Sequence, residues 1–253
     1  MRFLTLFSMM LLALWSCQST TTNDEKTTPP PKEEKAPEKA PAAEAAEEAS
    51  LLGVDVSHYQ GEINWEELKG AKVKFSFNKA TQGAEGTDPN FMTRQQGART
   101  AGIPIGGYHF FVATDNSEAQ ANNFINTFGA LQPGDLPPVL DLEEGGLNGV
   151  KNPEDYAKSA LLWLQTIKTH YGVTPIVYVS PDFANEWCIG EAFGQYPLWV
   201  AQYGVEAPTL PSLWSKWTFW QKAETGTIPG INGNVDHDIF HGSEAELQNL
   251  VVK

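Results

Sequence analysis

The chain has 253 residues, of which 41% are hydrophobic and 11% aromatic, so it can build one sizeable hydrophobic core. Its 31 acidic and 17 basic residues give a net charge of −14 at pH 7. That charge argues against partners such as nucleic acids or anionic membrane surfaces, because both repel an acidic protein.

The first 17 residues, MRFLTLFSMMLLALWSC, combine a basic start, an apolar run from Phe3 to Leu14 and a small residue before Cys17. The pattern predicts a secretory signal peptide, because the apolar run is too short for a membrane-spanning helix. The ending LWSC resembles the lipobox of bacterial lipoproteins, which implies lipidation of Cys17 and an anchor in a bacterial envelope membrane, at the periplasm or the cell surface. Ordinary cleavage nearby, with Cys17 discarded, is the alternative.

The next segment, residues 18–50, contains only Gln, Ser, Thr, Asn, Asp, Glu, Lys, Pro and Ala. It has nothing to bury, so we predict a disordered tether. Residues 51–253 then form the folded domain, which we expect to be a monomer. Its single cysteine, Cys188, has no partner within the domain and is interpreted as a core or near-surface thiol rather than a disulfide or a nucleophile.

Eight short apolar runs in this domain have the length and composition of β-strands. They span residues 51–57, 73–80, 103–112, 136–143, 174–180, 197–203, 216–221 and 234–240. Helical patterns lie between the earlier runs, at residues 64–71, 88–102, 116–129 and 152–172. Strands that alternate with helices pair in parallel, and eight such strands can close. We therefore predict an α/β fold, a modified TIM-like (β/α) barrel with an incomplete outer helix ring, since helices become rare after residue 174.

The run LPPVLDLE, residues 136–143, ends in paired acidic residues. Side chains i and i+2 of a strand share a face, so Asp141 and Glu143 point one way and Leu142 the other. Catalytic residues of such barrels lie at the carboxyl ends of the strands. Those ends supply the candidates Asp55, Ser57, Lys79, Tyr108, His109, Asp141, Glu143, Tyr178, Gln202, Gln221 and Asp236. Carboxylates ringed by aromatic and amide side chains are typical of a carbohydrate site.

Six segments carry distinctive residues: GVDVSHYQG (53–61), FNKATQG (77–83), GGYHFF (106–111), LDLE (140–143), LWVAQY (198–203), and WQ (220–221) with GINGNVDHDIFHG (230–242). In this order they resemble glycoside hydrolase family 25. The resemblance implies an N-acetylmuramidase that needs no cofactor and cuts the β-1,4 bond between N-acetylmuramic acid and N-acetylglucosamine in peptidoglycan strands. Gln82 departs from the Glu of many members, which puts only a peripheral polar contact in doubt.

The resemblance also implies roles for individual residues. Glu143 matches the general acid that protonates the glycosidic oxygen, and Asp141 matches its assisting neighbour. Asp55 and Asp236 match two further carboxylates. Sugar subsites would be lined by aromatic and amide residues, among them Tyr108 and Gln202.

Other side chains of the mouth are harder to assign. Lys79 is interpreted as a structural ion-pair partner there. The sequence does not separate sugar-binding rings from core rings among Trp199, Trp217 and Trp220, and we take Trp199 as a candidate sugar contact. Trp163 lies in a helical pattern and is expected in the core.

A general acid must keep its proton near neutral pH, and an ionised neighbour helps because a second negative charge is costly. We expect Asp141 to play that part for Glu143. Asp141 could also act as nucleophile, as base for water, or as the group that orients the acetamido oxygen of the substrate. Adjacent positions on one strand favour the acetamido-assisted route with net retention.

Two other functions fit parts of the sequence. His237 and His241 have the spacing of a helical zinc site, which would suit a metal-dependent polysaccharide deacetylase. In a strand, however, these residues lie about 13 Å apart, which disfavours metal binding. A catalytically silent, glycan-binding lipoprotein is the other possibility. It has little use for several carboxylates facing a substrate that is itself acidic.

Overall fold

The computed structural model describes residues 50–253. The predicted signal peptide, Cys17 and the predicted tether up to residue 49 lie outside the described residues. The strands are β1 (Ser50–Val56), β2 (Phe75–Gln82), β3 (Gly86–Thr87), β4 (Ile105–Phe110), β5 (Val139–Leu142), β6 (Ile176–Val179), β7 (Leu198–Ala201), β8 (Phe219–Gly226) and β9 (Val235–His241). Their order is β1-β9-β8-β7-β6-β5-β4-β2-β3, and pairing of β1 with β2 closes eight of them into a barrel.

The barrel confirms the predicted TIM-like fold and all eight predicted strands, but its pairing is mixed. Strand β9 runs antiparallel to both β8 and β1. The expectation of parallel pairing throughout is therefore wrong at β9. The connection from β8 to β9, residues 227–234, is shorter than the dozen or so residues that a parallel crossover needs, so the chain reverses.

The helices are α1 (Trp65–Gly70), α2 (Phe91–Ala101), α3 (Ser117–Phe128), α4 (Pro153–Tyr171), α5 (Pro181–Trp187) and α6 (Glu244–Leu250). The first four match the predicted helices, and Asn64, Asn116 and Asn152 cap α1, α3 and α4 through their side chains. The start of α2 differs, because Asp88 precedes the helix and pairs with Arg94 at 2.6 Å. No helix lies between β7 and β9 within the described chain, so the outer ring is incomplete as predicted.

Hydrophobic side chains pack on both faces of the barrel wall. The interior is filled largely by aromatic rings, among them Phe75, Phe77, Trp199 and Phe219. Outside the wall, a second cluster joins the strands to α3, α4 and α5, and Trp163 of α4 is fully buried in it, as predicted. Cys188 is a buried free thiol, and burial raises its pKa to about 12, which suits a core residue rather than a nucleophile.

None of the helices within residues 50–253 is both long enough and apolar enough to cross a membrane.

Candidate active site

A cavity of about 200 Å³ opens at the barrel mouth, where the parallel strands end. Eight of the twelve candidate site residues line it: Asp55, Tyr108, Asp141, Glu143, Tyr178, Trp199, Gln221 and Asp236. A groove of about 620 Å³ shares Glu143, Tyr178 and Tyr203 with this cavity and continues towards α5. The mouth is therefore part of a cleft that has room for several units of a polymer.

Asp141 and Glu143 lie next to each other on one side of the cavity. The Asp141 side chain is buried at the end of β5, whereas Glu143 is exposed just beyond the strand. Asp141 Oδ1 is buried and has no hydrogen-bond partner among the described groups, so this carboxyl group is accommodated more easily as an acid than as an anion. Leu142 points the opposite way into the outer core, as the alternation of the strand predicts.

The proton of this pair is favoured on the buried member. Burial raises the pKa of Asp141 well above its ordinary value, and the charge of Glu143 raises it further. This result reverses the expectation that Asp141 is the ionised partner. Sequence spacing places the two groups on one face but does not show which one is buried.

On the side of the cavity opposite Asp141, Gln221 of β8 connects residues of the cavity wall. Its Nε2 donates to Asp55 Oδ2 at 2.6 Å, and its Oε1 accepts the Tyr178 hydroxyl at 2.7 Å. Tyr203 donates its hydroxyl to the same Oε1. Both ends of the amide are thus occupied, which fixes its orientation and holds Asp55 towards the cavity.

Asp55 and Asp236 are paired neighbours on β1 and β9. Burial raises the pKa of Asp55 well above its ordinary value, and the charges of Asp238 and Asp236 add to the effect. Burial also raises the pKa of Asp236, to about 6. This side of the mouth therefore holds carboxyl groups that keep protons at unusually high pH.

Aromatic rings make the walls and floor of the cavity. Trp199 is almost fully buried, stacks on Phe77 at 4.4 Å between ring centroids, and meets Tyr178 edge-on at 4.6 Å. Tyr108 lines the cavity from β4, beside the Asp141 strand. Flat rings around carboxyl and amide groups suit a sugar, which presents apolar ring faces and polar edges.

Comparison with known proteins places the chain in a family. The family model described as glycosyl hydrolases family 25 matches residues 54–231, which is most of the described domain. The chain belongs to glycoside hydrolase family 25. It is therefore a glycosidase, and the family predicted from the six sequence segments is confirmed.

Individual relatives of this family 25 glycosidase cover most of its length. Lysozyme M1 of Streptomyces globisporus is 36% identical over 221 residues, which cover 81% of this chain and 72% of that protein. The N,O-diacetylmuramidase of Chalaropsis sp is 31% identical over 209 residues, covering 74% of this chain and 97% of the relative. The crystal structure of the bacterial lysozyme from Streptomyces coelicolor superposes with a TM-score of 0.74 at 34% identity, covering 79% of this chain and 96% of that one.

His109 does not reach the cavity of this family 25 domain. Its ring nitrogens lie 2.7 Å from Thr81 Oγ1 and 3.1 Å from Gln120 Oε1, and the ring stacks on Trp163 at 5.3 Å. Burial lowers the pKa of His109 to about 4, which keeps it neutral. The placement of His109 at the mouth is therefore wrong. Neighbours on a strand face opposite sides, so when Tyr108 faces the cavity His109 faces the helices.

Lys79 is not among the residues that line the cavity, and its expected ion pair is not formed. Its Nζ donates to Gln82 Oε1 at 2.8 Å and lies 4.9 Å from the centre of the Phe110 ring. No carboxylate within residues 50–253 comes within 4.0 Å of this ammonium. The contact of Lys79 is therefore with the amide of Gln82 rather than with a carboxylate.

Ser57 and Gln202 also lie outside the cavity lining. The Ser57 backbone N–H donates to Gln60 Oε1 at 2.8 Å, so the residue starts the short 3₁₀ turn His58–Gln60. Gln202 Oε1 accepts the backbone N–H of Thr209 at 2.6 Å, which turns the amide towards the loop after β7. The Ser57 backbone and the Gln202 side chain therefore hold loops next to the mouth.

Two cavity residues, Tyr203 and Glu224, were not predicted. Tyr203 ends the segment LWVAQY, two residues beyond β7. It directly follows Gln202, a predicted site residue, and this position could have identified it from the sequence. Glu224 lies beyond the predicted end of its strand, because β8 continues to Gly226 with register irregularities after Gln221. A polar, irregular strand end of this kind leaves little trace in hydrophobic periodicity.

The two histidines of the zinc hypothesis do not converge on the mouth. Asp236 and Asp238 of β9 face the barrel interior, so His237 and His241 face outwards. His241 packs on Trp217 at 4.5 Å. Among residues 50–253, no group of three or more His, Cys, Asp or Glu side chains is arranged to hold a metal ion.

The carboxyl groups of the mouth should make stability depend on pH. A carboxyl whose pKa is raised in the folded state binds protons that the unfolded chain has already released, so stability present at low pH is lost as pH rises through the folded pKa. For Asp236 this window runs from its ordinary value of 3.8 to about 6. Thermal unfolding of Asp236→Asn should therefore show a gain in Tm over wild type that is larger at pH 7.5 than at pH 4.5.

The matched control is Asp155→Asn, since Asp155 is exposed on α4. Its Tm difference from wild type should change little between the two pH values. An Asp236→Asn protein that gains nothing at pH 7.5 would contradict the raised pKa.

Proposed function

We propose that the domain is an N-acetylmuramidase, which cleaves the β-1,4 bond between N-acetylmuramic acid and N-acetylglucosamine in peptidoglycan. The single observation that carries this proposal is the neighbouring pair of Asp141 and Glu143, one buried and one exposed, at the mouth of a family 25 barrel. The lysozyme and muramidase names of its relatives agree with this substrate. The long cleft suits a glycan strand.

Glu143 acts as the general acid. It is the exposed member of the pair, so it is the one that can meet the glycosidic oxygen. In the free enzyme the proton rests on Asp141, and it passes to Glu143 when substrate binds. Glu143 then gives the proton to the leaving oxygen as the bond from the anomeric carbon to that oxygen breaks.

Asp141 assists in the same step. Loss of the proton leaves it as an anion on the same side of the sugar as Glu143, where it accepts a hydrogen bond from the acetamido N–H of the substrate. The acetamido oxygen attacks the anomeric carbon from the opposite face and forms a cyclic intermediate. Water then opens this ring, losing its proton to Glu143. Two inversions at one carbon give net retention.

Asp55, Asp236 and the aromatic rings hold the sugar for this reaction. Asp55 is fixed by Gln221, and Asp236 lies beside it at the opening of the cavity. Carboxyl oxygens accept hydrogen bonds from sugar hydroxyls, and the rings of Tyr108 and Trp199 give an apolar surface for the pyranose face.

Digestion of purified peptidoglycan by residues 18–253 tests the proposal. The products are reduced with borohydride and identified by mass spectrometry. We expect reduced ends that are all muramitol. Reduced glucosamine ends would instead identify a glucosaminidase, and glycan binding without cleavage would identify a silent binding protein.

The acetamido-assisted route predicts the anomer that is released first. Early ¹H NMR spectra of a digest of a short chitin-like or muropeptide oligomer should show the β-anomer before mutarotation. The α-anomer at early times would demonstrate inversion and would overturn the route through a cyclic intermediate. A buffer blank with added reducing sugar measures the rate of mutarotation under the same conditions.

We also propose that the protein is exported as a lipoprotein monomer, with Cys17 lipidated and residues 18–50 acting as a tether between an envelope membrane and the enzyme. The support is the lipobox-like LWSC and the composition of the tether. In cells fed a labelled fatty acid, the wild-type chain should carry label in the membrane fraction. Cys17→Ala should lose both the label and the membrane association.

A further inference from the structure

Tyr59 is the most exposed large apolar side chain within residues 50–253, at 83% of its full accessibility. It lies three residues after the end of β1, the strand that carries Asp55 to the cavity. A single exposed ring is ordinary on a protein surface, so exposure alone does not indicate a binding site. What distinguishes Tyr59 is the position of its loop in the barrel and the contacts that hold this loop.

The Tyr59 ring is supported by its neighbour His58, with 4.1 Å between the ring centroids. The backbone N–H of His58 donates to Asp88 Oδ2 at 2.7 Å, and its Nδ1 lies 3.3 Å from the same oxygen. Asp88 is enclosed and pairs with the buried Arg94 at 2.6 Å. Hydrogen bonds to charged groups are among the strongest in proteins, so His58 attaches the loop to a firmly packed part of the domain.

The rest of the turn His58–Gln60 is also tied to its surroundings. Gln60 Oε1 accepts the backbone N–H of Ser57 at 2.8 Å, and Gln60 Nε2 donates to the carbonyl oxygen of Asn234 at 3.3 Å. Gly61 ends the turn at a φ of +63°, a conformation that favours glycine. The loop is thus connected to Asp88 and to the chain between β8 and β9. A loop that is already ordered loses little conformational entropy when a ligand binds.

The barrel places this loop across the mouth from the groove. Around the eight closed strands, β1 and β6 are four strands apart in either direction. The chain after β6 leads into α5, which lines the groove with residues that include Phe183 and Trp187. The cavity lies between, with Asp55 supplied by β1 and Tyr178 by β6. A glycan strand that fills the groove and the cavity and continues straight across the mouth therefore leaves it beside Tyr59.

The charges of the cavity make a neutral contact useful there. The cavity lining includes five acidic residues and no Lys or Arg: the acids are Asp55, Asp141, Glu143, Glu224 and Asp236. Muramic acid carries a carboxylate of its own, so an acidic mouth gains little from ionic contacts with it. A tyrosine ring packs on the apolar face of a pyranose without adding charge, and its hydroxyl can hydrogen-bond to a sugar hydroxyl.

We propose that Tyr59 is a sugar-binding residue outside the central cavity, on which one unit of the glycan strand packs where the strand leaves the mouth on the β1 side. The choice of glycan as ligand rests on the proposed muramidase function. Tyr59 lies outside the cavity lining and touches no reacting atom, so it contributes to the binding of long strands rather than to bond cleavage.

The direct test is NMR of residues 18–253 with ¹³C-labelled tyrosine rings and with Glu143→Gln to prevent turnover. The probe is a peptide-free octasaccharide of alternating N-acetylglucosamine and N-acetylmuramic acid. The Tyr59 signal is identified by its absence from Tyr59→Phe. We expect this signal to shift on addition of the octasaccharide, together with the signals of the cavity residues Tyr108 and Tyr178.

The outcomes separate this site from the proposed function. Shifts of Tyr108 and Tyr178 with an unmoved Tyr59 would overturn the sugar site and leave the muramidase function standing. A shifted Tyr59 signal, in a protein whose wild type does not cleave the octasaccharide, would refute the muramidase function alone. No shift at any tyrosine would refute both.

Affinity and kinetics measure the contribution of the ring. In the Glu143→Gln protein, adding Tyr59→Ala should raise the Kd for the octasaccharide by about three- to tenfold, the effect of one aromatic packing contact. Tyr59→Phe should stay within about twofold. In the otherwise wild-type enzyme, Tyr59→Ala should raise KM on peptidoglycan and leave kcat within about twofold.

Leu162→Ala is the matched control, because Leu162 is an exposed apolar residue of α4 that lines neither the cavity nor the groove. It should bind the octasaccharide as tightly as the unaltered protein. A Tyr59→Ala protein with unchanged affinity, or with a lower kcat at constant KM, would overturn the proposal.

Discussion

Replacing Glu143 by Gln should lower kcat on peptidoglycan by about 10³-fold, within the range that general acid catalysis contributes. Glutamine has the same shape as glutamate but has no acidic proton to give to the glycosidic oxygen. The side chain lies at the opening of the cavity and is exposed, so its replacement should leave folding and Tm almost unchanged. KM should also change little, since the lost interaction is made mainly in the transition state.

The measurement is the release of reducing ends from purified peptidoglycan under saturating substrate. Glu154→Gln is the matched control, because Glu154 is an exposed acid on α4 that lines neither the cavity nor the groove. We expect that control to retain activity within about twofold. If both variants kept full activity, Glu143 would not be the acid, and Asp236, the acid with a pKa of about 6, would become the next candidate to replace.

The sequence was sufficient to predict the strands and the acid pair because both rest on local patterns. The alternation of Leu140, Asp141, Leu142 and Glu143 sets which residues share a face, and the buried faces found in β5 agree with it. Closure of eight strands into a barrel follows from their number and from the helices between the early ones. The antiparallel return of β9 depends on the length of a single connection, which the sequence pattern does not define sharply.

Side-chain direction near strand ends was the main source of error. In β4, Tyr108 and His109 are consecutive, and only the phase of the strand decides which one meets the cavity. In β2, a register shift between Lys79 and Thr81 interrupts the alternation at the very residues in question. Such irregularities arise from packing across the barrel, so they cannot be predicted from one segment alone.

The protonation of the carboxyl groups is a second property that the sequence could not supply. Spacing shows that Asp141 and Glu143 are neighbours, but the relative burial that favours the proton on Asp141 is a tertiary property. The same holds for Asp238, which resembles its neighbour Asp236 in sequence and differs from it in being wholly enclosed. Burial therefore distinguishes acids that look equivalent in the sequence.

Replacing Asp141 by Asn should lower kcat by about 10²- to 10³-fold, the second largest effect that we expect. Asparagine fills the same buried space and can still hydrogen-bond to Glu143, so the cavity should keep its shape. It cannot hold the proton that Glu143 needs, and it cannot become the anion that the acetamido N–H requires. The loss should therefore appear in kcat, and the pH profile should lose the limb that reports the proton of the pair.

Asp155→Asn, on the exposed face of α4, is the control and should behave as wild type. The double variant Asp141→Asn, Glu143→Gln gives the sharper test. If the two carboxyl groups share one proton and act as a unit, Asp141 assists the reaction only through Glu143. The double variant should then be hardly slower than Glu143→Gln alone, because Glu143 has already been replaced. Losses that multiply would mean independent roles, with Asp141 acting as nucleophile or base without proton transfer to Glu143.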